Sequence, residues 1–190
     1  MEKTDEIRGA EGIVIHNGNI VLGMQKPKRW YKLESGETIT MIKTLGGEIE
    51  KEDEGDSKKA LIREVIEEVN GIGREDIRVS NKPIFTKRIR LADINPFEKK
   101  SNLNMNADFY LLQILKQEVL QPNDLPALIE IPLSRFIKME FNSQGKMRNI
   151  QDYISQNTSI DLPDYYRFMI PEEVHRFFRE IRKDREDIER

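Results

Sequence analysis

GGEIEKEDEGDSKKALIREVIEEVNGI, residues 46–72, changes character half-way along. Its first half is glycine and acid. Its second half repeats with helical spacing: at about 100° per residue, Leu61, Ile62, Val65, Ile66 and Val69 gather on one side. Arg63, Glu64, Glu67 and Glu68 fall on the other, with small Ala60 among them. Carboxylates at i, i+3 and i+4 share a helical face and repel one another. Such a face is either a solvated surface or a site for a hard divalent cation. Asp56 or Ser57 is placed to cap the start of this helix. Asn70-Gly71 is placed to end it, because both residue types reach the left-handed conformation.

Upstream, Ile13-Val14-Ile15 and Ile20-Val21-Leu22 flank His16-Asn17-Gly18-Asn19. Asn-Gly between two apolar runs is the strongest short hairpin signal, since a type I′ turn needs positive φ at both central residues. Strands are expected over about 11–16 and 19–25. A basic and aromatic segment, Lys26 to Lys32, follows, and the β-branched run Thr38 to Thr44 reads as a strand that delivers the chain into Gly46-Gly47. Downstream, residues 77–79 and 83–91 read as strand, 93–106 as a polar loop, and 107–115 as a strand buried on both faces. Residues 127–139 mix strand with a turn at Pro132. Met147, Ile150, Tyr153 and Ile154 mark one tail helix, and Val174, Phe177, Phe178 and Ile181 mark another that starts at Pro171.

Composition limits what this domain can do. With 37% hydrophobic and 34% charged residues, a sizeable core fits beneath a heavily charged surface. The net charge of −3 gives no global basic field, so nucleic acid is an unlikely partner. Cysteine is absent, which removes disulfides, zinc–thiolate sites and thiol nucleophiles together. There is no apolar leader and no run long enough to span a bilayer, so a cytoplasmic protein is expected. The division expected is a flexible N-terminus over 1–10, one α/β domain over 11–140, and a helical extension over 141–190 packed on it. The apolar stripe of the tail helices, where uncovered, would suit a homodimer contact.

The residues Gly46-Gly47-Glu48-Ile49-Glu50, followed by Ala60-Leu61-Ile62-Arg63-Glu64-Val65-Ile66-Glu67-Glu68-Val69-Asn70-Gly71, resemble the Nudix box of the Nudix hydrolases. That pattern runs glycine, five residues, glutamate, seven residues, then R-E-U-x-E-E-x-G-U, with U a bulky aliphatic. Arg63 to Glu68 match in full. The acidic loop before Arg63 is two residues longer than the pattern, so the isolated glutamate has no single counterpart; Glu50, Glu54 and Asp56 compete for it. Asn70 stands where the pattern closes on glycine.

The resemblance implies a Nudix-like α/β/α sandwich with a mixed sheet, here with C-terminal helices added. It implies Mg²⁺, or Mn²⁺ in its place, held by Glu64, Glu67, Glu68 and the Gly47 carbonyl, with Arg63 beside them in the catalytic cluster. Glu64 is then a candidate general base; otherwise that carboxylate comes from a distant loop, where Asp93, Glu98 and Asp108 are nearest. The implied reaction is hydrolysis of the phosphoanhydride of a nucleoside diphosphate linked to another moiety. The physical logic agrees, because Mg²⁺ is normally held by a few carboxylates plus substrate phosphates. The alternative is a binding module that senses a nucleotide or ADP-ribose without turning it over.

Two further features compete with blander readings. Trp30 and Tyr31 are candidates to stack on a base, with Arg29 and the neighbouring lysines on phosphates. One buried aromatic among exposed lysines is the alternative. His16 and His175 have no spaced partner and read as structural.

Overall fold

Asn17-Gly18 makes the turn that its chemistry requires, with φ of 46° and 77°. It joins β1 (Glu6–His16) to β2 (Asn19–Met24), with His16 opposite Asn19. The computed structural model describes residues 6–90, 104–139, 153–156 and 161–188. After β2 come β3 (Tyr31–Lys32), β4 (Thr38–Lys43) and β5 (Leu45–Glu48). The helix α1 (Ser57–Glu68) leads into β6 (Val69–Asn70), β7 (Ile77–Val79) and β8 (Phe85–Arg90). Next are β9 (Asn104–Ile114), β10 (Gln121–Pro122) and β11 (Ala127–Pro132), then the short α2 (Leu133–Phe136). The tail adds β12 (Ile154–Gln156), β13 (Tyr165–Met169) and α3 (Glu172–Ile188).

The sheet is mixed, and β1 is its axis. One edge of β1 pairs in parallel with β9 along its whole length, from Glu6↔Asn104 to His16↔Ile114. The other edge is shared: β5 takes residues 9–12 and β2 takes 14–16, both antiparallel. Period-two alternation then sends neighbouring side chains to opposite layers. Val14, Val21, Tyr110 and Leu112 pack under α1, against Leu61, Ile62 and Val65. Ile13, Ile20, Leu22 and Phe109 pack on the other side, with Phe136 of α2 and Val174 and Phe178 of α3. These layers make an α/β/α sandwich. Strand β9 is buried on both faces, as its weak alternation predicts.

Helix α1 starts as read, with Asp56 Oδ1 accepting from the backbone N–H of Lys58 and Lys59. It ends differently. Asn70 does not turn left-handed; it pairs with Gln121 in β6, and Gly71 takes the positive φ of 71°. The last carbonyls of the helix go to Asn123, whose backbone N–H donates to Glu68 O and whose side chain donates to Glu67 O.

Both ends of the chain depart from expectation. Residues 6–10 are strand rather than a flexible start, because β9 pairs with all of them and β5 joins on the other edge from Gly9. Ile154 lies in a strand on β11, not in a helix; Met147 and Ile150 fall outside the described residues. Tyr165–Met169 joins β4 in parallel. The tail is therefore mixed, with its helix beginning after Pro171. Among the described residues no helix is long and apolar enough to cross a membrane.

His175 is structural, as expected of it. It is buried and stacks on Phe136 with ring centroids 4.5 Å apart. Burial, with Arg179 nearby, pushes its imidazole down to about 4. The unfolded chain therefore takes up a proton between about pH 6.5 and 4 that the folded chain refuses, and stability falls as pH drops through that window. His175→Phe keeps the stack and removes the titration. Its stability relative to wild type should rise on going from pH 7 to pH 4, by up to about 3 kcal/mol, measured by urea melts of the two proteins at each pH.

Candidate active site

The chain crosses from β2 to β1 between Lys43 and Gly46, since β4 pairs with Gly23 and Met24 while β5 pairs with Gly9 to Gly12. The double glycine serves this crossing in two different ways. Gly46 has φ +142°, and a Cβ there would lie 2.2 Å from Ala10 O, so no other residue lets the two strands approach. Gly47 leaves room for chemistry instead. A Cβ on it would lie 2.5 Å from Glu64 Cδ, so the Glu64 carboxylate occupies the space that a side chain would fill.

Glu64 is fixed from behind by Arg63. The guanidinium Nη1 donates to Glu64 Oε1 at 2.8 Å, and Nη2 donates to Glu48 O at 3.1 Å. Its main partner is Asp53, with Nε to Oδ1 at 3.2 Å and Nη2 to Oδ2 at 2.9 Å. This bidentate pair is strong and directional. Asp53 is 1% exposed and also accepts from the Glu50 backbone N–H. The Arg63 hydrogen bonds hold its carboxyl below the usual range. Asp53 therefore takes the place for which Glu50, Glu54 and Asp56 compete on spacing alone. Counted from Gly47 rather than Gly46, it comes after five intervening residues, as the pattern's glutamate does, and the two extra residues lie between it and Arg63.

Glu68 is buried, at 6% exposure. Its Oε2 accepts from the Gly46 backbone N–H at 3.1 Å and its Oε1 from Lys43 Nζ at 3.0 Å. The same ammonium donates to Gly46 O at 2.9 Å. Glu11, from the middle of β1, completes the group: it is 8% exposed and accepts from Thr44 Oγ1 at 2.6 Å. Burial pushes Glu11 up to about 7, against Lys43 and Thr44, with Glu68 and Glu64 adding to the rise. Burial alone would lower Lys43, but Glu68, Glu11 and Glu64 outweigh it and hold the ammonium above its ordinary value. Neither Glu11 nor Lys43 stands out by motif. The signal was a lone charge inside a strand of small or apolar residues, GAEGIVI and TITMIK, where an ionised group needs a partner.

Glu11, Lys43, Gly46, Gly47, Glu64 and Glu68 line a cleft of about 560 Å³. Lys26, Lys28 and Arg29 line it too, and Ile7, Ile89, Met105 and Phe109 give it an apolar wall. Other sequence candidates lie elsewhere. Glu67 is outside the cleft lining, with a side chain 53% exposed and its carboxylate 3.6 Å from Arg63 Nη1. Trp30 is packed against the core and donates from Nε1 to Gln25 O. Neither Trp30 nor Tyr31 lines the cleft; of that trio only Arg29 does. Asp108 accepts from Thr86 Oγ1 and alternates with Met105 and Phe109 onto the opposite face of β9. Asp93 and Glu98 fall outside the described residues.

Does this set suit a divalent cation? Among the described residues no three His, Cys, Asp or Glu side chains surround a common metal position. The oxygen donors lining the cleft are two carboxylates, Glu64 and Glu68, and the Gly46 carbonyl, which shares the Lys43 ammonium with Glu68; Gly47, whose carbonyl the resemblance implies as a ligand, lines the same cleft. Hard oxygens in this small number match Mg²⁺, which keeps water and substrate phosphate in its remaining positions. A cation already marks the place: the Lys43 ammonium, between Gly46 O and Glu68 Oε1. The residues fit the ion by donor type and by charge.

No family model and no curated protein matches the sequence. The fold does have solved counterparts. The MutT protein of Methanosarcina mazei Go1 superposes with a TM-score of 0.54 at 14% identity, over 98% of this chain and 99% of that one. An Ap4A hydrolase of C. elegans gives 0.47 at 14% identity, over 70% of this chain and 84% of that one. The NUDIX domain of Shewanella oneidensis NrtR, solved with ADP ribose, gives 0.46 at 10%, over 71% and 78%. The chain is thus similar in fold to the MutT protein of Methanosarcina mazei Go1 along nearly the whole of both chains.

Proposed function

We propose that this chain is a Nudix pyrophosphohydrolase, dependent on Mg²⁺ or Mn²⁺, that cleaves the phosphoanhydride of a nucleoside diphosphate linked to another moiety. One observation carries the reading: Glu64, Glu68 and Gly46 line the same cleft as Lys26, Lys28 and Arg29, and the Gly46 carbonyl and Glu68 carboxylate already share one cation, the Lys43 ammonium. Carboxylates alone would repel a diphosphate, and lysines alone would only bind it. Together they suit hydrolysis assisted by a divalent cation.

Glu64, Glu68 and Gly46 O would hold the ion, which when bound supplies Lewis-acid polarisation of the diphosphate and eases ionisation of water. Glu68 is oriented for this by the Gly46 N–H. Glu64, clamped by Arg63 and unobstructed above Gly47, is the residue we assign to take the proton of the attacking water. Lys26, Lys28 and Arg29 would neutralise phosphate oxygens, and the wall of Ile7, Met105 and Phe109 would take an apolar part of the leaving moiety. A panel of nucleoside triphosphates, dinucleoside polyphosphates, nucleotide sugars, NADH and ADP-ribose, with Mg²⁺ or Mn²⁺, tests this by product mass. Cleavage between two phosphorus atoms in at least one member is expected.

A second reading has its own observation. Lys43 sits between donors that would hold the metal, an arrangement that also suits a nucleotide sensor without turnover. Calorimetry showing nucleotide or ADP-ribose binding, while the whole panel stays intact, would favour the sensor.

A further inference from the structure

Lys43 is an odd residue to find beside a metal platform. It ends β4, its ammonium reaches both Gly46 O and Glu68, and its own side chain is 21% exposed. Three carboxylates act on its ammonium: Glu68 by direct contact, Glu11 and Glu64 through space. Without a cation, two acids in the last turns of one helix and a third on β1 would share a poorly hydrated space, and their repulsion would be costly. Lys43 removes that cost from within the chain. Its two contacts, at 2.9 and 3.0 Å, are made to a carbonyl and a carboxylate that would serve a divalent ion.

We infer that Lys43 is a tethered stand-in for the site's metal ion, and that a divalent cation is held there only after the ammonium leaves Gly46 O and Glu68. This rests on the metal-dependent reading above. It makes ion binding an exchange of an internal monocation for an external dication. The exchange has two consequences. Metal affinity is set below what the carboxylates alone would give, because the contacts of Lys43 must be given up. The displaced ammonium, on a flexible four-carbon stem, becomes free to turn into the cleft.

The test is a Mn²⁺ titration, by the loss of free-ion electron paramagnetic resonance signal, on wild type and Lys43→Met. The variant should bind at least tenfold more tightly. In parallel, wild type is labelled with acetic anhydride with and without saturating Mg²⁺, and Lys43 is quantified by peptide mass. Its labelling should rise several-fold with the ion, relative to the exposed Lys82 between β7 and β8; this measurement decides alone if Lys43→Met does not fold. Equal or weaker Mn²⁺ binding by the variant, or unchanged Lys43 labelling in protein that has bound Mg²⁺, overturns the inference and leaves the hydrolase reading intact. Absence of Mn²⁺ binding by both proteins overturns the two together.

Discussion

Glu68→Gln should lower turnover about a thousandfold while leaving the fold in place. The carboxylate of Glu68 joins the two halves of the site: it takes the Gly46 N–H on one oxygen and the Lys43 ammonium on the other. An amide of the same shape can accept only through its single oxygen, and its NH₂ group then faces a donor. The hydrophobic face of α1, from Leu61 to Val65, is untouched, so the variant should remain folded. Steady-state kinetics on the best panel substrate, with a thermal melt of the same sample, separates loss of chemistry from loss of protein. A Glu68→Gln enzyme as fast as wild type would remove this residue from the mechanism.

Among the described glycines, Gly46→Ala should have the largest structural effect. The new carbon would meet Ala10 O at 2.2 Å, at a φ of +142° that other residues rarely adopt. Backbone cannot move aside as a flexible side chain can, so β5 must separate from β1. The expected loss is about 3 kcal/mol or more, read by chemical denaturation. Gly47→Ala makes the useful contrast, because its methyl meets the Glu64 carboxylate rather than backbone. That variant should stay close to wild type in stability and lose turnover. If Gly46→Ala melts like wild type, the strand crossing is not as tight as described.

Local chemistry made much of this legible. Asn17-Gly18 dictated its hairpin, the spacing of Leu61, Val65 and Val69 dictated α1, and Arg63 to Glu68 pointed to the cluster. The residues that escaped depend on long-range register. Glu11 reaches the site only because β5 pairs Gly46 opposite it, and Lys43 reaches Glu68 across a separation of 25 residues. Asp53 could not be told from its acidic neighbours, because the 3-10 turn Lys51–Asp53 decides which of them faces inward. Strands β12 and β13 escaped for the same reason, since their partners β11 and β4 are distant in sequence and neither short segment has a pattern of its own. Glu67 shows the converse. Helical periodicity placed it with Glu64 and Glu68, but the cleft takes only the i, i+4 pair, and Glu67 is left toward solvent.

Hydrolysis of a phosphoanhydride by water in this cleft is tested most directly by isotope transfer. The best panel substrate is incubated with the protein and Mg²⁺ in H₂¹⁸O, and the products are weighed. One ¹⁸O per cleavage event, on a single phosphate product and none on the sugar or base, is the expected result. An intact substrate, or ¹⁸O found on carbon rather than phosphorus, would contradict it.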